Sequence, residues 1–123
     1  HSLGALAQGR GDHARAVSYY GEALIRFHAL GDLGSVAWCL EGVAAAGGRD
    51  HPEQAARLFA AADTLRTAIH IPLPSPERPE YDRAVAVVRT ILGDAAFEAA
   101  WRDGAVLPLE TALAAANALA ASQ

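Results

Sequence analysis

The feature of this sequence that most restricts its fold is a spacing of small and aromatic residues that occurs twice. The first copy consists of Leu3-Gly4, Ala7, Ala16, Tyr20 and Ala23, and the second consists of Leu40-Glu41, Ala44, Ala55, Phe59 and Ala62. The offset between the copies is 37 residues at the first position and 39 residues at the last. Periods of this length are typical of stacked helical hairpins, in which each unit buries its apolar face against its neighbours. The sequence therefore predicts an all-α stack.

Helical periodicity supports this prediction. Apolar residues recur at steps of three and four from Ala16 to Leu30 and again from Leu33 to Ala44, as on one face of an amphipathic helix. No segment alternates with a period of two, so we expect no sheet. Stop and cap signals predict helix boundaries at Gly9-Gly11-Asp12, Gly31-Asp32, Gly47-Gly48, Pro52 and Gly93-Asp94.

A proline-rich stretch divides the predicted domain. Pro72, Pro74 and Pro76 remove backbone donors and favour extended conformations before them. Residues 71–80 are therefore predicted to connect two hairpins over 1–70 to C-terminal helices over 81–123. Because a chain of 123 residues with 52% hydrophobic content can build one continuous core, we expect a single structural domain of about seven helices.

The first copy of the spacing resembles the tetratricopeptide repeat residue for residue. The second is a degenerate copy, with Glu41 where a small residue is usual. In such a hairpin, small residues let two helices approach to roughly 8–10 Å while an aromatic side chain fills the space beside them. The resemblance implies tetratricopeptide-like hairpins forming an alpha-alpha superhelix, followed by a small C-terminal helical cap.

A second resemblance extends over nearly all of residues 3–120. The chain is similar to the C-terminal helical region of large bacterial regulators of the signal-transduction ATPase type, which often carry a LuxR-type DNA-binding domain. The stretches that carry the resemblance are 40–44, 55–62, 74–78, 92–101 with Gly104, and 107–110. It implies a non-catalytic protein-interaction segment, or scaffold, of a regulator that acts in signal transduction and transcription regulation. The alternative is a helical domain that senses a small inducer.

Neither an ATPase motif nor a DNA-binding helix-turn-helix occurs in this sequence, and there is no methionine. We therefore expect a piece of a longer protein. Its partners would be another protein or neighbouring domains of the parent chain. A homodimer is also expected, because Leu3 and Leu6 would leave an apolar end uncovered.

Charge and composition argue against other classes of partner. The net charge is −4, and the arginines alternate with carboxylates, so direct nucleic-acid binding is disfavoured. No stretch approaches the ~20 apolar residues of a membrane span. The single cysteine, Cys39, favours a reduced cytoplasmic setting in which it packs as a small hydrophobic residue.

Catalytic and metal-binding patterns are weak. The sequence contains no GxxxxGK[ST], HExxH, CxxC or GxSxG motif. No two of the five histidines are three or four residues apart, and a zinc site would need at least three converging ligands. We therefore predict no catalytic residues, no metal, no cofactor and no enzymatic activity. Asp94 is interpreted as a helix cap, and Phe97 with Trp101 as a core anchor.

Glu41 and Trp38 each allow two interpretations. Glu41 lies at the edge of the buried stripe, where it either accepts hydrogen bonds from backbone or arginine groups or extends its head to water. Trp38 falls opposite the buried stripe of its helix, together with Gly42 and Ala45. The resemblance to the tetratricopeptide repeat implies that Trp38, Gly42 and Ala45, with Ser35, line a protein-binding groove. The other interpretation is that Trp38 packs against the helix from Tyr81 to Leu92.

Overall fold

The computed structural model describes residues 10–121, with side-chain surroundings from residue 14. Most of these residues are helical, and no strand occurs among them, which confirms the predicted all-α class. The six α-helices of this part of the chain are α1 (Arg10–Leu30), α2 (Leu33–Gly47), α3 (Pro52–Ile69), α4 (Arg78–Leu92), α5 (Asp94–Ala105) and α6 (Leu109–Ala121). A single 3₁₀ turn, Ser75–Glu77, precedes α4.

The cap between α1 and α2 forms as predicted. Gly31 has a φ of 73°, in the left-handed region that favours glycine, and it ends α1. The carboxylate of Asp32 then caps α2, because it accepts hydrogen bonds from the Ser35 amide at 3.2 Å and from the Ser35 hydroxyl at 2.7 Å. Pro52 lies in the first turn of α3, as its missing N–H allows.

Two predicted boundaries are wrong. Gly11 and Asp12 lie inside α1 instead of separating two helices, since a glycine in a helix costs only ~1 kcal/mol and a long packed helix absorbs that cost. Helix α4 begins at Arg78 and not at Tyr81, because Pro79 occupies the first turn, where no N–H is required. The predicted short helix before Gly9, with its apolar end at Leu3 and Leu6, lies outside the described residues.

The core lies around α2, which packs between α1 and α3. The fully buried large side chains of these helices are Val17, Leu24, Val36, Leu40, Val43, Leu58 and Phe59. Helix α6 returns across this layer and contacts all three helices. A Cβ added to Gly21 of α1 would come within 2.8 Å of Ala120, and one added to Gly47 of α2 within 2.7 Å of Leu119. At Gly21 the added atom would meet the Cβ of Ala120, which cannot rotate away, so glycine lets α6 lie this close; at Gly47 it would meet the flexible end of the Leu119 side chain.

Helices α3 and α5 also approach closely. A side chain at Gly104 of α5 would collide with the backbone of Arg57 on α3. In contrast, α4 is peripheral, and Val88 is its only buried residue. Because α5 rather than α4 packs closely on α3, the N-terminal half of α4 leaves open space beside α3.

Candidate binding groove

Two adjoining clefts occupy the space between α3 and α4, and both are lined by Asp63, Arg78 and Tyr81. We call the two clefts together the Tyr81 groove. Its connector half has a volume of about 430 Å³ and is also lined by Glu41, Arg66, Thr67, His70, Pro72 and Leu73. Its α5 half has a volume of about 490 Å³ and is also lined by Asp82, Val85, Arg89, Phe97, Glu98, Trp101 and Arg102. Volumes of this size fall in the range of small-ligand sites.

A buried ion pair forms the inner wall of the connector half. Arg66 on α3 donates from Nε to Oε2 of Glu41 on α2 at 2.6 Å and from Nη2 to Oε1 at 2.9 Å. Only 8% of Glu41 and 7% of Arg66 is exposed. The interpretation of Glu41 as a buried acceptor for an arginine is thus confirmed. Arg66 was not predicted, although its position seven residues after Phe59 places it on the buried face of α3.

The same arginine holds the proline-rich connector. Its Nη1 donates to the carbonyl oxygen of Ile71 at 3.2 Å, just after His70 has ended α3 in a left-handed conformation with φ 61°. Burial raises the pKa of Glu41, and the N–H donors of Arg66 act in the opposite direction. The hydrogen bonds to Glu41 raise the pKa of Arg66, so Arg66 stays positively charged at neutral pH.

Tyr81 separates the two halves of the groove. Its ring meets the ring of Phe59 on α3 edge-on, with the centroids 5.4 Å apart, and the guanidinium of Arg78 lies 5.3 Å from the centroid of Tyr81. Burial raises the pKa of the Tyr81 hydroxyl to about 12, and the negative charge of Asp63 adds to this shift. The phenol therefore stays protonated at neutral pH.

The α5 half has an aromatic floor and a charged rim. Phe97 is buried and Trp101 half-buried, with ring centroids 5.6 Å apart, so the core-anchor interpretation holds for Phe97 and in part for Trp101. The guanidinium of Arg89 lies 4.8 Å from the Phe97 centroid. It also donates from Nε to Asp94 at 2.8 Å and from Nη2 to Glu98 at 3.1 Å.

This arrangement corrects the predicted cap at Asp94. The N-cap of α5 is Gly93, which has a φ of 84°, and Asp94 is the first helical residue. The carboxylate of Asp94 accepts from Arg89 across the turn instead of capping backbone N–H groups. Arg89, which also donates to Glu98, holds the Asp94 carboxylate on its own side of the turn through a charge-assisted hydrogen bond.

The predicted protein-binding groove on α2 is largely occupied from within the chain. A Cβ on Gly42 would come within 2.5 Å of the Tyr20 ring, so that ring fills the slot predicted beside Gly42. Half-buried Trp38 meets the same ring edge-on at 5.1 Å, and the Ser35 hydroxyl serves the cap at Asp32. Of the four predicted groove residues only Ala45 is exposed, and the other three are half-buried. Partner binding by the exposed parts of Trp38 and Ala45 stays a prediction.

Other sites were sought in the described residues. Among the side chains of residues 14–121 no group of three or more His, Cys, Asp or Glu is placed to hold a metal ion. No described helix combines the length and apolar character needed to cross a membrane. Cys39 is a buried free thiol, as predicted, and burial raises its pKa to about 12.

Comparison with known proteins gives no relative: no family model, no curated protein and no solved structure matches the chain. The Tyr81 groove is therefore the feature on which a functional assignment rests.

Proposed function

We propose that this chain is a tetratricopeptide-like interaction scaffold of a larger bacterial signalling ATPase or LuxR-type transcription regulator, working in the cytoplasm without catalysis of its own. Its partner would be another protein, a second copy, or a neighbouring domain of the parent chain. The single observation that carries this proposal is the Tyr81 groove, which combines an aromatic floor with a rim of both charge signs.

The packing of the two sequence copies supports the repeat. The equivalent small residues Ala16 and Ala55 are both buried, and so are the equivalent aromatics Tyr20 and Phe59. Each aromatic lies against a neighbouring helix, as the repeat requires: Tyr20 covers Gly42 on α2, and Phe59 meets Tyr81 on α4. The similar burial and packing of these equivalent positions support the proposed repeat.

The groove has the composition of a protein interface. Aromatic residues and arginine are enriched at interface cores, and the α5 half presents Tyr81, Trp101 and Arg102 to solvent over buried Phe97. Helix α4 buries only Val88 fully, so its apolar residues Tyr81 and Val85 stay partly accessible to a partner segment.

A second candidate function is small-ligand sensing, and the connector half favours it. Hydroxyl, carboxylate and guanidinium groups converge there on a volume of about 430 Å³. Sequence flanking the chain bears on both functions, because a Walker motif upstream or a basic helix-turn-helix downstream would identify the parent regulator.

Site-specific photocrosslinking in the parent protein tests the scaffold. A benzoylphenylalanine placed at Asp82 or at Arg102, both exposed on the groove, should give crosslinks to one defined segment. The matched control is Ala118, which is exposed on α6 away from the groove. Crosslinks that map to one segment from both groove positions and not from Ala118 support the scaffold, whereas crosslinks equally abundant from Ala118, or none, contradict it.

A further inference from the structure

Helix α6 lies on a surface built from helices that are distant from it in the sequence. It contacts α1, α2 and α3, whereas within the described chain it makes little contact with α5, the helix that it follows. We call the surface of α1, α2 and α3 beneath it the α6 seat. Since α5 adds little, the contacts with the α6 seat hold this helix in place.

The α6 seat fits a helix with small and leucine side chains at fixed positions. Helix α6 buries four residues that share one helical face, namely Ala112, Leu113, Ala116 and Leu119. On the α6 seat, Gly21 leaves room for the Cβ of Ala120, and the Leu119 side chain packs over Gly47. These contacts depend on the sequence of α6 and not on which copy of the chain supplies it.

The linker between α5 and α6 is short and exposed, and it resists becoming helical. It consists of residues 106–108, in which Val106 is 80% exposed and Pro108 is exposed as well. Pro108 disfavours a helical conformation of Leu107 and has no N–H to donate. The Leu107 amide donates to the Gly104 carbonyl oxygen at 3.2 Å, which closes the turn. Straightening of this linker breaks that hydrogen bond and directs α6 away from its own seat.

We propose that the α6 seat binds α6 of a second copy of this chain, so that two copies exchange their C-terminal helices. In the exchanged dimer each seat keeps the contacts that it has in the single chain, and only the linker changes conformation. Exchange of identical elements costs little for this reason, and a short linker favours it. This inference goes beyond the scaffold function, which rests on the Tyr81 groove and involves no residue of α6.

Crosslinking between two single-site variants of the 123-residue chain tests the exchange. The imidazole of His28 on α1 and the carboxylate of Glu110 on α6 are 3.7 Å apart and both exposed, while Cys39 is buried. His28→Cys and Glu110→Cys are incubated together at millimolar concentration and treated with a short bis-maleimide. The control mixture replaces Glu110→Cys by Ala118→Cys, at an exposed position on the opposite face of α6. We expect at least about tenfold more heterodimer than in the control, because docking raises the effective concentration of the two thiols.

A shortened linker gives an independent test. Deletion of Val106 and Leu107 prevents α6 from reaching its own seat but not that of a second copy, so light scattering should show a dimer with unchanged helical circular dichroism. Heterodimer no more abundant than in the control mixture, or a shortened chain that stays a folded monomer, overturns the proposal. A dimer of the shortened chain without the crosslink between positions 28 and 110 overturns it as well. If the shortened chain does not fold, crosslinking of the intact chain decides. None of these outcomes bears on photocrosslinking from the Tyr81 groove.

Discussion

The carboxylate of Glu41 on α2 and the guanidinium of Arg66 on α3 face each other through two parallel hydrogen bonds, of 2.6 and 2.9 Å, inside the helical layer. Neither charge could be buried alone, because an isolated ion loses far more solvation than the interior returns. A third bond from Arg66 to the Ile71 carbonyl extends the link to the connector. One arginine thus links α2, α3 and the start of the connector.

Replacement of this arginine should be strongly destabilising. Arg66→Met leaves the Glu41 carboxylate buried without a partner, and we expect the free energy of unfolding in urea to fall by about 3–5 kcal/mol. The control is the double variant Glu41→Leu with Arg66→Met, which removes both charges and should recover most of the loss. A double variant as unstable as the single one would show that the ion pair does not carry the effect.

The stability of the Arg66→Met variant should depend on pH in a defined direction. Burial raises the pKa of Glu41 in the folded state, and without Arg66 nothing opposes that shift. A raised folded pKa means that the native state favours the neutral carboxyl, so stability is retained below the ordinary pKa of 4.5 and lost as pH rises above it. Urea unfolding at acidic and neutral pH should therefore show the Arg66→Met penalty shrinking in acid. A constant penalty would contradict this.

Two glycines of α2 form a matched pair for a steric test. A Cβ at Gly42 would meet the Tyr20 ring at 2.5 Å, so Gly42→Ala should cost about 1–3 kcal/mol through overpacking. A Cβ at Gly34 would meet Ile71 at 3.5 Å and Asp32 at 3.9 Å, both ordinary contact distances, so Gly34→Ala in the first turn of α2 should stabilise slightly, by up to about 0.5 kcal/mol, through better helix propensity. Thermal unfolding of both variants checks the opposite signs. If both variants changed the unfolding temperature equally, Tyr20 would not pack closely against Gly42.

Cys39 should be unreactive and should make stability depend on alkaline pH. Burial raises its pKa to about 12 from an ordinary 9.0, so the folded state keeps the proton that the unfolded state releases. Its contribution is complete below about pH 9 and is lost towards pH 12, with a slope of at most about 1.4 kcal/mol per pH unit. Unfolding of Cys39→Ala should lack this component, and the native thiol should resist thiol reagents at pH 8 until denaturant is added. Rapid modification of the native chain would refute the buried placement.

Trp38 should matter less than a fully buried core tryptophan. Its ring is half-buried and meets the Tyr20 ring edge-on. Because Trp38→Ala removes this contact and little fully buried surface, the free energy of unfolding should fall by about 1–3 kcal/mol, less than the ~3–5 kcal/mol of a core aromatic. Trp38→Phe, which keeps a ring, should cost less. Urea unfolding gives both values, and loss of cooperative unfolding in Trp38→Ala would place this residue in the core.

Sequence periodicity predicted which segments are helical, but it did not predict which helices pack against each other. The stripe on α2 indicated which face is buried, yet a helical wheel cannot say that the opposite face meets Tyr20 of α1. The partner of Glu41 lies 25 residues away on another helix, and no local rule connects the two positions. The Tyr81 groove depends on how far α4 stands from α3, which follows from three-dimensional packing and not from either sequence segment alone.

The return of α6 onto α1 and α2 has a consequence for synthesis of the chain. Helices α1 to α3 leave the ribosome well before residues 109–121 do. Until Leu119 and Ala120 are made, the surfaces around Gly47 and Gly21 lack their closest packing partner. Apolar surface exposed at that stage is of the kind that chaperones bind, and a chain that ends before α6 keeps it exposed.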